Sequence, residues 1–232
     1  MYLYNKSRSY EVVKGSAKSL ALKWVEDIGK QFDHKKGVSY HALKKNLKMI
    51  AKDFDKLELD LSHKKPQVGI VGEIYVKYAS LGNNHLEEFL VSENAEIMFP
   101  GLYGFILYCL YNSIYDQQFY GNAKKKKIVA KLLIWYLKRR EKLMINSIKP
   151  TKFTPMQYFH HTKDLSDGIL SHGTKMGEGW LLTAEMIELV EIGYENIVCT
   201  QPFGCLPNHI CGKGVMKKIK TLFREIDEVL ND

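Results

Sequence analysis

Three cysteines fall within one loop-rich stretch, NIVCTQPFGCLPNHICGKG (196–214), and thiolates both attack electrophiles and hold soft metals. Cys199, Cys205 and Cys211 are separated by five residues each, which is neither the CxxC knuckle of a zinc site nor a ferredoxin run. Cys199 closes a β-branched run and reads as a small buried hydrophobe. Cys211 enters the next helix and reads the same way. Cys205 differs: Gly204 and Pro207 bracket it in a turn just past a strand, where no core residue is needed. A thiolate there would also feel the favourable field of a helix N-terminus. The fourth cysteine, Cys109, lies apart in an apolar helix.

The other polar candidates are weaker. His172 and Glu178 lie in SHGTKMGEGW, a Gly-rich loop before a helix, and such loops can turn backbone N–H groups toward an anion. The pattern is neither GxGxxG nor a P-loop. Glu73 and Tyr75 follow the first strand. Asn83, Asn84 and His85 open a helix, as ordinary Asn capping would have it. His160 and His161 are adjacent and would point to different sides of a helix. There is no nucleophile elbow and no kinase or ATPase phosphate loop in the sequence.

These residues need a parallel sheet to bring them together, because ligands in open α/β sheets sit at the carboxyl ends of the strands. Val68–Val71 (VGIV) is a short β-branched run ending at Gly72, the pattern of a strand buried on both faces. A helix around His85–Ser92 and a second strand at Ala95–Phe99 complete a βαβ unit. Asn196–Cys199 is the third strand, preceded by a helix over Trp180–Ile192 and followed by one over Asn208–Phe223. Between Leu102 and about Lys149 the pattern is helical throughout, with a connector at Pro150–Pro155 and a further helix within Met156–Ser171. In front, Ser16–Phe32 and the stretch after Ser39 are amphipathic helices. The expected class is therefore α/β, with a small parallel sheet in residues 67–232, a helical insertion at about 102–171, and a helical N-terminal extension over 1–66.

The 232 residues are 45% hydrophobic and carry a net charge of +8. A chain of this length buries about 70% of its unfolded surface and needs no covalent staple. The start of the chain, YLYNKSRSYEVVK after Met1, lacks the apolar centre of a secretory segment, so a reducing cytoplasm is expected. The apolar runs Leu102–Tyr115 and Ile128–Leu137 fall short of the ~20 residues of a spanning helix and read as buried or half-buried, so no membrane partner is expected. A basic balance attracts nucleic acid, acidic membrane surfaces or phosphate-bearing ligands. Lysines on the solvated faces of amphipathic helices account for the excess more simply, and a nucleic-acid role is not expected.

Four phrases, KPQVGIVGEIYVKYASLGNNHLEEFL, FPGLYGFILYCLYNSIYD, HGTKMGEGWLLTAEMIELV and NIVCTQPFGCLPNHICGKG, occur in order along nearly the whole chain. Together they resemble the C-terminal portion of large activase-like proteins related to the 2-hydroxyacyl-CoA dehydratases. The resemblance implies flavodoxin-like or Rossmann-like α/β units around an oxygen-sensitive [4Fe–4S] cluster and radical dehydration of a 2-hydroxyacyl-CoA in an anaerobe. It assigns Cys205 as a cluster ligand; by position alone, Cys199 is a second candidate metal ligand, and Glu73, His172 and Glu178 are candidate cofactor contacts. It further implies that the ATPase portion and the upstream half with the other ligand cysteines are absent. The same comparison implies that the family's next strand is replaced by the polar helix end Arg224–Asp232. The expected partners are that upstream half, or a dehydratase or activator subunit, with acyl-CoA as candidate ligand. The alternative is a binding or scaffold module of the same fold without a cluster.

Overall fold

The fold is taken from a computed structural model, which describes residues 1–37, 39–121 and 124–231, with side-chain surroundings described as far as Phe223. Three strands form a parallel open sheet: β1 (Gln67–Gly72), β2 (Glu96–Met98) and β3 (Asn196–Thr200), in the order β2-β1-β3. Val68 sits opposite Ile97 on one side of β1, and Val71 opposite Cys199 on the other. The helices before and between β1 and β2 are α1 (Tyr2–Arg8), α2 (Ser16–Asp33), α3 (Tyr40–Asp55), α4 (Ile74–Tyr78) and α5 (Leu86–Ser92). The expected insertion is there as α6 (Leu102–Tyr120), α7 (Lys124–Ile148) and the short α8 (Phe159–Asp164). After it come α9 (Gly179–Glu191), α10 (Leu206–Cys211) and α11 (Met216–Asn231).

Successive residues of β1 face opposite sides, and the core divides accordingly. Val71 and Met98 pack with Leu182 and Met186 of α9 and Ile219 of α11. Ile70, Ile97 and Phe99 instead pack with Tyr78, Leu86 and Leu90 around α4 and α5. The sheet is thus covered on both faces, which is why β1 reads as an unbroken apolar run. A second, largely aromatic core joins α6, α7 and α8 to the start of α9 around the fully buried Trp180.

One local expectation gives way. The helix expected over Asn208–Phe223 is broken into α10, one 3-10 turn (Lys213–Val215) and α11. The break lies at Gly212, where an added Cβ would stand 2.6 Å from the Asn208 carbonyl oxygen and 3.0 Å from Cys199 Sγ. The terminal stretch Arg224–Asp232 runs within α11 as far as Asn231, and its side chains lie outside the described residues.

The opening segment also does more than its polarity suggests. From α1, Lys6 Nζ donates to Glu96 Oε1 (2.8 Å) and to the Tyr194 hydroxyl (2.6 Å), while the Tyr10 hydroxyl donates to Glu96 Oε2 (2.8 Å). Burial pushes the Glu96 carboxyl up, but the hydrogen bonds from Lys6, Tyr194 and Tyr10 outweigh it and hold the group below its ordinary value. Residues 1–10 are therefore tied to β2 across the boundary expected near 66.

Glu188 on α9 has the opposite balance. Burial pushes its carboxyl up to about 7, against the Thr162 hydroxyl that donates to Oε1 at 2.8 Å and with Glu185, His161 and Glu191 nearby. An acid whose folded pKa is raised is a source of instability once ionised, so stability falls as pH rises from about 4.5 to about 7 and stays low above that. Glu188→Gln keeps the acceptor oxygen for Thr162 and removes the charge. Urea unfolding at pH 8 is expected to show a gain of up to about 3 kcal/mol that shrinks toward zero at pH 4; an equal change at both pH values would overturn the assignment.

Candidate functional site

Because β1 and β3 are parallel neighbours, their carboxyl ends release the 73–78 and 201–206 segments side by side. The Glu73 N–H donates to the Thr200 carbonyl (2.9 Å), and the Thr200 hydroxyl returns a bond to the Val71 carbonyl (3.1 Å). Glu73 then caps α4, its Oε2 accepting from the Val76 N–H at 2.8 Å. Glu178, buried just ahead of α9, accepts from the Ile74 N–H at 3.0 Å. Two carboxylates thus occupy the leading donors of α4, the groups an anionic ligand would otherwise use. Beneath them Lys77 Nζ meets Glu185 Oε2 at 3.1 Å, with both side chains almost wholly buried. Burial pushes the Glu185 carboxyl up against the pull of that lysine.

The three cysteines meet different surroundings. Cys199 is half-buried, its sulfur turned toward Gly212, and burial followed by the negative charge of Glu178 and Cys205 pushes its thiol up to about 11. Cys211 is buried, and burial followed by the charge of Glu178 pushes it likewise to about 11. Neither is a thiolate near neutral pH. Cys205 is half-buried and stands immediately before α10, with Pro207 in the first turn. The Asn208 amide donates to its sulfur at 3.3 Å. Asn208 is fully buried, and its Oδ1 finds no hydrogen-bond partner among the described residues. The segment that carries Cys205 exposes apolar side chains, Phe203, Leu206 and Ile210, beside the polar His209.

The Gly-rich loop reaches this site at one end only. Gly177 packs on Pro207 of α10, an added Cβ there standing 3.2 Å from the proline Cβ. The donors at the start of α9 are turned inward: Gly179 N–H to the Met176 carbonyl, Trp180 N–H to the Thr174 carbonyl (2.8 Å) and Leu181 N–H to the Glu178 carbonyl. The Tyr108 hydroxyl donates to the carbonyls of Lys175 and Gly177, closing the loop from the α6 side. The first donors of α9 are therefore spent on the loop and the helix itself. His172 lies in the aromatic core, stacked on Tyr115 at 4.4 Å and edge-on to Trp180, with Nε2 3.0 Å from the Lys163 carbonyl oxygen and Nδ1 3.4 Å from Asp167. It lines a shallow cavity of about 430 Å³ with Phe119 and Asp167.

Glu73, Glu178, Cys199 and Cys205 are thus gathered at the carboxyl end of the sheet, and His172 belongs to the insertion side of α9. Sequence reasoning passed over Lys77, Glu185 and Asn208. A glutamate within the apolar run WLLTAEMIELV signals a buried carboxylate, but nothing local names Lys77 as its partner. No group of three His, Cys, Asp or Glu side chains that could hold a metal ion occurs among the described residues. What the site offers is the half-buried Cys205 thiol, with an amide donor on its sulfur and exposed apolar side chains in the flanking segments. Protein-family models, curated proteins and solved structures give no match to this chain.

Proposed function

We propose that this chain is a partial 2-hydroxyacyl-CoA dehydratase/activase-like domain of flavodoxin-like type, supplying Cys205 to an iron–sulfur site that a partner polypeptide completes. The observation that carries this reading is the setting of Cys205: a half-buried thiol past the end of β3, with a buried amide donating to it and exposed apolar side chains on the segments beside it. Hydrogen bonds to cluster sulfurs and the exclusion of water around them are among the levers that set such centres.

The donor set within the chain does not fit a complete cluster. A [4Fe–4S] cube takes four thiolates, whereas Cys211 is buried, Cys199 packs against the core and Cys109 stands apart on α6, which leaves Cys205 as the thiol clear of the core at the strand ends. No catalytic step is therefore assigned to this chain alone. Its expected setting is the cytoplasm of an anaerobe, its partner the upstream half of the same family or a dehydratase or activator subunit, with acyl-CoA as the candidate substrate. A second reading, an α/β binding module without a cluster, draws support from the occupied donors of α4 and from the absence of a three-ligand group among the described residues.

Iron and sulfide analysis under strict anaerobiosis separates the two. The wild-type protein is expected to carry iron and sulfide at less than one cluster per chain, with broad visible absorption, and Cys205→Ala to lose both signals. Iron absent from both proteins would favour the scaffold, and iron equal in both would remove Cys205 from the ligand set.

A further inference from the structure

Residues 124–142 of α7 combine nine lysines and arginines with one acid, Glu141, which is buried. The helix buries one face, through Ala130 and Ile134, against its neighbours. The apolar run Ile128–Leu137, expected to be buried or half-buried, also has a second face: Ile128, Val129, Leu132, Leu133, Trp135 and Tyr136 are all exposed. At 100° per residue these six span an arc of about 160° on the outer side of the helix. Lysines 124–126, Lys131 and Lys138 are exposed on the same helix, and Arg139 and Arg140 lie over the rings of Trp135 and Tyr136 at 4.5 and 3.6 Å.

We propose that this outer face of α7 docks on an anionic lipid surface, with the helix lying in the plane of the headgroups. Lysines 124–127 occupy the first turn of the helix, where the macrodipole disfavours cations, so an external anionic surface relieves a conflict that no ion pair among the described residues answers. An exposed apolar arc carrying Trp and Tyr and flanked by Lys and Arg is the composition of an interfacial helix. Nucleic acid would engage the lysines and leave the aliphatic residues in water. A second copy would set like charges against one another, and protein interfaces are depleted in lysine. Lying on a membrane is distinct from crossing one: among the described residues no helix is long and apolar enough to cross.

The test is flotation with vesicles of phosphatidylcholine alone and of phosphatidylcholine with about a third phosphatidylserine. The protein is expected to float only with the second kind, and its tryptophan emission to shift to the blue. That shift reports Trp135, since Trp24 and Trp180 are buried. Leu132→Glu, at an exposed position, is expected to abolish binding with an unchanged circular dichroism spectrum. Replacing Lys124, Lys125 and Lys126 by Gln should weaken binding about a hundredfold. No flotation, flotation indifferent to Leu132→Glu, self-association that Leu132→Glu removes, or binding of duplex DNA in place of vesicles would each overturn the proposal.

Discussion

Gly72→Ala is expected to cost more than about 4 kcal/mol, enough to leave little folded protein. Gly72 ends β1 with φ +132°, a region that L side chains rarely adopt, and an added Cβ would stand 1.9 Å from the Thr200 carbonyl oxygen. That oxygen also accepts the Glu73 N–H at 2.9 Å, and Gly72 pairs directly with Thr200 in the sheet. A methyl group at this point would therefore push β3 away from β1 where the Cys205 segment leaves the sheet. The matched control is Gly29→Ala in α2, where nothing lies within 4 Å of the new methyl and the helix should gain about 0.5–1 kcal/mol. Soluble yield and thermal melting of the two variants check the contrast. Similar melting temperatures would show that the β1–β3 end is not held as described.

Lys77→Met carries the second large effect, a loss of about 3–5 kcal/mol. It leaves the Glu185 carboxyl on α9, already pushed up by burial, without its cation and with Glu178 as a neighbouring charge. A raised carboxyl pKa lowers stability as pH climbs past the ordinary carboxylate range, so the deficit should deepen between pH 5 and pH 8 in urea titrations. Adding Glu185→Met removes the stranded charge and is expected to restore most of the loss, because a buried ion pair replaced by apolar groups of similar volume is often close to neutral. A double variant as unstable as the single one would mean that the pair contributes through shape alone.

The strands were the most legible elements because both faces of this sheet are covered, which leaves apolar runs with sharp stops. VGIV ends at Gly72, and AEIMF ends at Pro100. The start of α3 was legible too, Ser39 accepting from the Ala42 N–H, whereas α2 is capped by Gly15 without a side-chain bond and not by Ser16 or Ser19. The two faces of α7 were harder to see. A run such as IVAKLLIWYL has the same composition whether one face or both are covered, and only packing against α6 and α3 decides which residues stay outside. For the candidate site, the distinction between Cys205 and its two neighbours could be read from Gly204 and Pro207. The Lys77–Glu185 pair, whose members lie 108 residues apart, could not, since local periodicity carries no information at that range.

That separation is one of several. β3 reaches the Val71 carbonyl from 129 residues downstream, and the Lys6–Tyr194 hydrogen bond spans 188. During synthesis, α1 and the first βαβ unit leave the ribosome long before the strand and the tyrosine that complete their packing exist. Closing such long loops is costly in entropy, and topologies built on distant contacts fold slowly. The α6–α7 pair, by contrast, joins neighbours in sequence and can form early. The nascent chain therefore waits with β1 half-dressed and its apolar residues in reach of chaperones or of other chains, and the arrival of Tyr194 and β3 sets the moment of commitment.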